Sequence, residues 1–363
     1  MVSDKGALTE ALEEPRPGQS PTVRDVVAAL DIITGGRVIK GLEGVVTCKN
    51  RFVVTKSSNI PGKAVTETPG LVFGDPDGTV RKLAVTMTLT ESQIELAGAL
   101  GIDAIVAHHP VADAANSGGV TLRNYLSLYN IALFELHEAF HGLHPGIAFI
   151  HGHRAFRVDI AYGGIPGNII NVGRALEDVK TAGDIVRRLE AFGGFAQERE
   201  MLAFERRLRG SSHICETNVS TCAQILNGDE NSPVSVILHI YPHTGFCVEH
   251  LRQALREHPD IDTVIASISR VRPDNPLVQE AKKAGLTFIL GNTHAMEIFE
   301  NGLPLAFALQ KLLPSVEVLL LRERVTAMPV GCAGTPAIRE YADRIATTFL
   351  VPKDLLQGGQ RLA

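Results

Sequence analysis

Histidines and glutamates in three short stretches are the residues of this chain best equipped for chemistry. The run Gly101-Ile102-Asp103-Ala104-Ile105-Val106-Ala107 ends in His108-His109-Pro110. Its length and β-branched content read as a buried parallel strand. Open α/β sheets bind ligands beyond the carboxyl ends of their strands. Successive side chains of a strand face opposite ways, so both imidazoles share one site only if the strand stops there. Pro110 removes a donor and keeps His109 extended. The plainer alternative is one histidine capping the strand and one facing water.

The second stretch follows the predicted strand Ile131–Leu136 and reads His137-Glu138-Ala139-Phe140-His141. It matches HExxH, the zinc-peptidase pattern in which a helix presents two histidines and a glutamate base. Gly142 and Pro145 would stop such a helix within a turn, and His144 and Ile147 stand where the metzincin extension needs Gly and His. A zinc peptidase is therefore the third reading, and surface histidines on a loop are the plain one. The third stretch, Leu290-Gly291-Asn292-Thr293-His294-Ala295-Met296-Glu297, again ends a strand. Its His294 and Glu297, three apart, would share a face of a helix's first turn, or simply start a solvated helix. Together, His108, His109, His141, His294 and Glu297 offer nitrogen and oxygen ligands for one or two divalent ions. His137 and Glu138 are the candidate general acid/base pair. Arg270 and Arg272, after another predicted strand, are candidate anion contacts.

The elements that would position these residues form two similar blocks. Strand Lys82–Thr88, a helix from the capping box Thr90-Glu91-Ser92-Gln93 to Leu100, the strand before His108, a helix Thr121–Tyr129 and strand Ile131–Leu136 make the first. Strands Val234–Ile240, Ile261–Ile268 and Leu286–Leu290 alternate with helices Phe246–Glu257 and Pro276–Ala284 in the second. A helix Ala295–Leu313 and strand Val316–Leu321 complete it. Gly101-Ile102-Asp103-Ala104-Ile105-Val106-Ala107 is echoed by Asp260-Ile261-Asp262-Thr263-Val264-Ile265-Ala266. The expected architecture is α/β, with two related β-α-β-α-β lobes facing each other across a metal-bearing cleft and a middle insertion. Residues 1–20 read as a disordered lead-in and 21–149 as the N-terminal lobe. Residues 150–232 read as the insertion, with a glycine strip (Gly163, Gly164, Gly167) and a charged helix around Gln197–Arg209. Residues 233–363 read as the C-terminal lobe. A first helix is expected over Thr22–Leu30.

Composition narrows the function. The chain has 363 residues, 45% of them hydrophobic, enough to fill two or three domain cores. A net charge of −5 and the absence of Trp argue against nucleic acid or an anionic membrane as partner. Five scattered cysteines without a CxxC indicate neither a zinc ribbon nor a disulfide framework. With no signal-peptide pattern and no apolar run of membrane-spanning length, the expected location is the cytoplasm.

The order and spacing of these motifs resemble the Nif-three-like dinuclear metal-centre family, whose members are also called type 2 homologues of GTP cyclohydrolase I. The resemblance covers roughly 71–141 and 234–321. It rests on Gly70-Leu71-Val72-Phe73-Gly74-Asp75, the His108-His109-Pro110 strand end, Asn130-Ile131-Ala132 leading to His137 and His141, and Gly291 through Glu297. It implies two metal ions between the lobes, with His108, His109, His141, His294 and Glu297 as ligands, and a homo-oligomer, a hexamer. The chain departs from the family pattern at several points. Glu67-Thr68-Pro69 replaces Trp-Asp-Asn, and His141 stands where Asp is usual, favouring Zn²⁺ or Fe²⁺ over Mn²⁺ or Mg²⁺. His294 and Glu297 are three rather than four apart, with Thr293 in the expected His position. Ser267-Ile268-Ser269-Arg270-Val271-Arg272 lacks a second His pair. The leading reading is a metal-dependent hydrolase acting on a small-molecule nucleotide or phosphoester. The rival is a non-catalytic metal-binding regulatory scaffold.

Overall fold

The computed structural model describes residues 20–39, 50–57, 64–111, 120–165 and 167–351. The expected lead-in lies outside them except for Ser20. The first helix forms at Val23–Thr34, one residue after Thr22, whose capping box with Asp25 closes its amino end.

Strands β1 (Val54–Ser57) and β2 (Ala64–Glu67) pair antiparallel as a ribbon that delivers Glu67 toward the strand ends described below. β3 (Gly70–Phe73), β4 (Lys82–Thr86), β5 (Ala104–Ala107) and β6 (Ala132–Glu135) belong to the first sheet. β4, β5 and β6 run parallel, and β3 closes one edge antiparallel to β6. Beyond β3, Gly74 lies so close to β6 that a Cβ would sit 2.7 Å from that of Ala132, at a φ of +121°. The crossover helices are Glu91–Leu100 and Val120–Tyr129. The first starts as its sequence predicts: the Thr90 side chain accepts from Gln93 N–H, and the Gln93 side chain accepts from Thr90 N–H. Both faces of β4, β5 and β6 are covered, so the middle of each strand is apolar. Leu83, Val85, Val106 and Phe134 pack toward the helix Val23–Thr34, and Ala84, Ile105 and Leu133 toward the crossover helices.

The second sheet takes β7 (His153–Asp159), β8 (Ile170–Ala175), β10 (Gln224–Asn227), β11 (Val236–Ile240), β12 (Thr263–Ile268) and β13 (Thr287–Thr293), in the order β10-β13-β12-β11-β8-β7. β11, β12 and β13 are parallel, as β4, β5 and β6 are, and they carry helices Val248–Glu257 and Pro276–Lys283. The repeated block is therefore real at the level of strand order. The stretch read as an insertion, 150–232, instead supplies strands to this sheet. β8 pairs antiparallel with β11, and β10 with β13, because Ile170 and Val172 complete the second core. Its charged helix spans Phe195–Arg209.

One strand changes lobes. β14 (Glu317–Leu321), expected to close the second block, pairs parallel with β4 in the first sheet, from Glu317 opposite Lys82 to Leu321 opposite Thr86. The helix before it explains the switch. Leu305, Leu309 and Leu313 pack with Val26, Leu30 and Val85 in the first core and carry the chain across. That helix is shorter than expected. It runs Leu303–Leu312, after a tight turn at His294–Met296 and a wide helical segment at Ile298–Gly302. Pro304, which lacks an N–H, is tolerated at its first turn. Further on, the two-residue strand β15 (Thr326–Ala327) pairs with β9 (Cys215–Glu216). No helix among the described residues is long and apolar enough to cross a membrane.

Candidate metal centre

β5 stops at Ala107, and the next two residues turn out of the sheet. His108 and His109 still hydrogen-bond through their backbone N–H groups to Thr86 and Met87, which fixes the start of the turn. Their rings are then free to lie near one another, with centroids 5.2 Å apart. Both side chains are buried.

β6 likewise ends before His137, and residues 137–144 form turns rather than helix. The zinc-peptidase geometry is thus absent, as Gly142 and Pro145 predict. The turns nevertheless bring His137 and His141 together, their rings 4.6 Å apart and each within 5.5 Å of the His108 ring.

Each of these three imidazoles is oriented by an acceptor at Nδ1. The His108 Nδ1 donates to the Leu136 carbonyl at 2.9 Å, the His137 Nδ1 to Glu67 at 3.0 Å and the His141 Nδ1 to Glu138 at 3.2 Å. A carbonyl or carboxylate oxygen only accepts, so the proton sits on Nδ1 and the lone pair on Nε2. That is the tautomer a metal ligand needs, with the carboxylate–histidine pairing common around bound ions. Ligand atoms of His108, His137 and His141 lie within 4.8 Å of one another, and so do those of His108, His109 and Glu297. Glu67, His137 and Glu138 form a third such group. His108 belongs to the first two groups, and its single Nε2 lone pair can serve only one of them.

Electrostatics agree with the donor set. Burial pushes the His108 imidazole down to about 4 and holds His137 well below its ordinary value, with neighbouring histidines adding to the effect. Both are neutral at physiological pH, as ligands must be. Burial opposes ionisation of Glu297, but His109 and His108 outweigh it and hold the carboxyl well below its usual range. The His109 Nε2 lies 3.1 Å from Glu297, and Asn301 donates to the other carboxylate oxygen at 3.0 Å. Neutral imidazoles beside a buried carboxylate are side chains that could bind a metal ion.

His294 stands at the rim. Its side chain is 48% exposed, 4.0 Å from Glu297, and outside the three groups, although its ring lies 4.4 Å from that of His109. His137, read as an acid/base group, falls among the ligand-type side chains instead. Arg270 and Arg272 do not reach the site. Arg270 donates to the Cys222 carbonyl and to Gln224, and exposed Arg272 pairs with Asp274. The chain leaving β12 takes the Arg270 guanidinium to the start of β10. Glu67 was not singled out by sequence, although the Glu67-Thr68-Pro69 departure marks its position.

The histidines open into a cavity of about 1150 Å³ that also touches the second sheet through Asn171, Tyr241 and Ile268. Residues 53–125 match the family model of Duf34/NIF3 (NGG1p interacting factor 3). That stretch of the chain is similar to the NIF3 family. A Bacillus cereus protein related to NIF3 has the same fold, at 10% identity and a TM-score of 0.50, covering 84% of this chain and 98% of that one. Reduced HcgD from Methanocaldococcus jannaschii is 15% identical, with a TM-score of 0.48, and 78% of this chain covers 99% of it. A NIF3 superfamily protein from Sphaerobacter thermophilus is 13% identical, with a TM-score of 0.42 and coverages of 83% and 98%. No curated protein matches. The NIF3-like match includes β4, β5 and the His108-His109 turn, and it ends before His137.

Proposed function

We propose that this NIF3-like chain holds one or two divalent transition-metal ions at the strand ends of its first sheet and hydrolyses a small phosphoester or nucleotide there. The observation that carries the reading is the set of three imidazoles whose Nδ1 groups are tied to acceptors and whose ligand atoms lie within 4.8 Å of one another. His108, His137 and His141 would hold one ion, and His109 and Glu297 would hold a second where one is bound; His294 completes the set from the rim. When bound, such ions lower the pKa of water and polarise a substrate oxygen.

The protein's own residues supply the rest. Glu138 lines the cavity and is the best-placed group to take a proton from attacking water on a carboxylate oxygen. Its hydrogen bond to His141 keeps that oxygen oriented. Thr88, hydrogen-bonded to His109 at 2.8 Å and to His294 at 3.4 Å, positions the two rings on the opposite side. A cavity of this size favours an enzyme over a purely structural metal site, which is normally closed around its ion. The same reading places the protein in the cytoplasm as a homo-oligomer.

The test is metal analysis of protein purified without chelator, followed by a phosphoester and nucleotide screen. One to two equivalents of zinc or iron are expected, falling by more than half in His108→Ala, with turnover that disappears in Glu138→Gln while metal content holds. Absence of bound metal in the unmodified chain would overturn the reading.

A further inference from the structure

The cavity has two unlike walls. The first lobe contributes imidazoles and carboxylates, and the second contributes Val158, Ile160, Ile165, Ile169 and Ile268. Val158, Ile160 and Ile165 are between 39% and 52% exposed, an apolar surface left open to whatever enters. In the repeat, Asp103 corresponds to Asp262, so Ile268 occupies the position that His109 holds in the first lobe. Ile268 also carries a φ of +63°, a conformation that a β-branched residue adopts only at a steric cost. Such strain collects at ligand-contacting positions. Where one strand end presents a ligand-type histidine, its counterpart presents a branched hydrocarbon.

Fixed positive charge is scarce. Arg154 is the one Lys or Arg among the lining residues, and Glu138 and Glu297 face the same space. A polyphosphate tail would meet two carboxylates and a single guanidinium. One anionic group fits the polar wall, and an apolar body fits the opposite one.

We infer that the cavity selects a phosphoester with one anionic head and an aromatic or branched apolar alcohol part, with Ile160, Ile165 and Ile268 as its specificity-determining contacts. This rests on the metal-site reading for the head group only; the apolar wall belongs to the second lobe and exists without metal. Calorimetry on the full chain would compare 1-naphthyl phosphate, inorganic phosphate and ATP, for zinc-loaded and chelator-treated protein, with zinc content measured separately. Naphthyl phosphate is expected to bind at least tenfold more tightly than either other probe, and to retain measurable binding after chelation. Ile160→Asp and Ile165→Asp should each weaken it at least tenfold, leaving zinc content, phosphate binding and particle size by light scattering unchanged. Equal affinity for phosphate, tighter binding of ATP, or unaffected variants with normal zinc content would overturn the selectivity while leaving the metal reading intact. A chain that binds no zinc yet still prefers naphthyl phosphate would overturn the metal reading alone. A smaller particle in either variant would overturn the selectivity by assigning the wall to subunit packing.

Discussion

A histidine becomes a good ligand when something else holds its second nitrogen, and Glu67 does this for His137. Its carboxylate is buried and lies 3.0 Å from Nδ1. Replacing it by Gln keeps an acceptor but removes the charge that raises imidazole basicity, so Glu67→Gln should weaken metal affinity by about 10- to 100-fold. His294→Ala, at the exposed rim, should cost much less than His109→Ala. Metal competition with a chromophoric chelator measures both; equal losses in His294→Ala and His109→Ala would place His294 fully among the ligands. The strand-end pair and the His137–His141 turn were legible from sequence because apolar runs end abruptly at them. Glu67 was not, since a glutamate on a two-stranded ribbon looks like any solvated residue until the ribbon is folded over the strand ends.

Local signals determine where these helices and strands begin and end, whereas pairing depends on distant residues. The Thr90 capping box, the apolar runs of β5 and β12 and the helix-stopping Gly142 and Pro145 act within a few residues, so sequence exposes them. β14 could have extended either sheet from its own composition. The choice follows from where Leu305 and Leu309 are buried, which is a long-range matter. β13 carries a further constraint. A Cβ on Gly291 would sit 2.4 Å from His151 Nε2, the atom that accepts from Asn292 N–H at 3.0 Å. Gly291→Ala must push that ring away and strand a buried donor, at a cost of about 1–3 kcal/mol. Gly285, where a Cβ meets nothing within 4 Å, has φ +73°, so Ala there is strained by backbone alone. Denaturant midpoints compare the two. The distinctive outcome for Gly291→Ala is a loss of amide protection at Asn292; unaltered protection would show that the ring is not seated as described.

The second lobe carries an acid-sensitive seam that local sequence patterns do not reveal. His151, His153 and His239, together with Ser267, fill one polar seam of the second lobe. His153 Nε2 is 3.0 Å from His239 Nδ1, and His239 Nε2 is 2.6 Å from Ser267. The His-Gly-His of 151–153 was visible, but only strand pairing brings it beside His239. Burial pushes His151 down to about 4 and His153 to about 3, and holds His239 well below its ordinary value. Unfolded, each titrates near 6.5. Below that pH the unfolded chain binds protons the folded one refuses, so stability present above 6.5 is lost as pH falls toward 4 and 3, by up to about 1.4 kcal/mol per pH unit and per group. The strand-end histidines His108 and His137 act in the same direction.

Glu300 works against them. Burial, aided by Glu297, raises its carboxyl to about 8, while Asn292 donates to it and His151 lies 3.7 Å away. A raised carboxyl contributes stability below its unfolded value near 4.3 and loses it as pH climbs through 8. At pH 7 the folded protein therefore holds a proton there that the unfolded chain has released. Glu300→Gln keeps the neutral shape and the bond from Asn292, so chelator-treated protein should gain about 1–3 kcal/mol at pH 7. Its melting temperature should then fall more steeply between pH 6.5 and 4.5, because the carboxyl no longer offsets the histidines. Thermal melts of both forms across pH 4.5–8 decide it. Parallel curves would mean that Glu300 is ionised in the fold and paired with a charged His151.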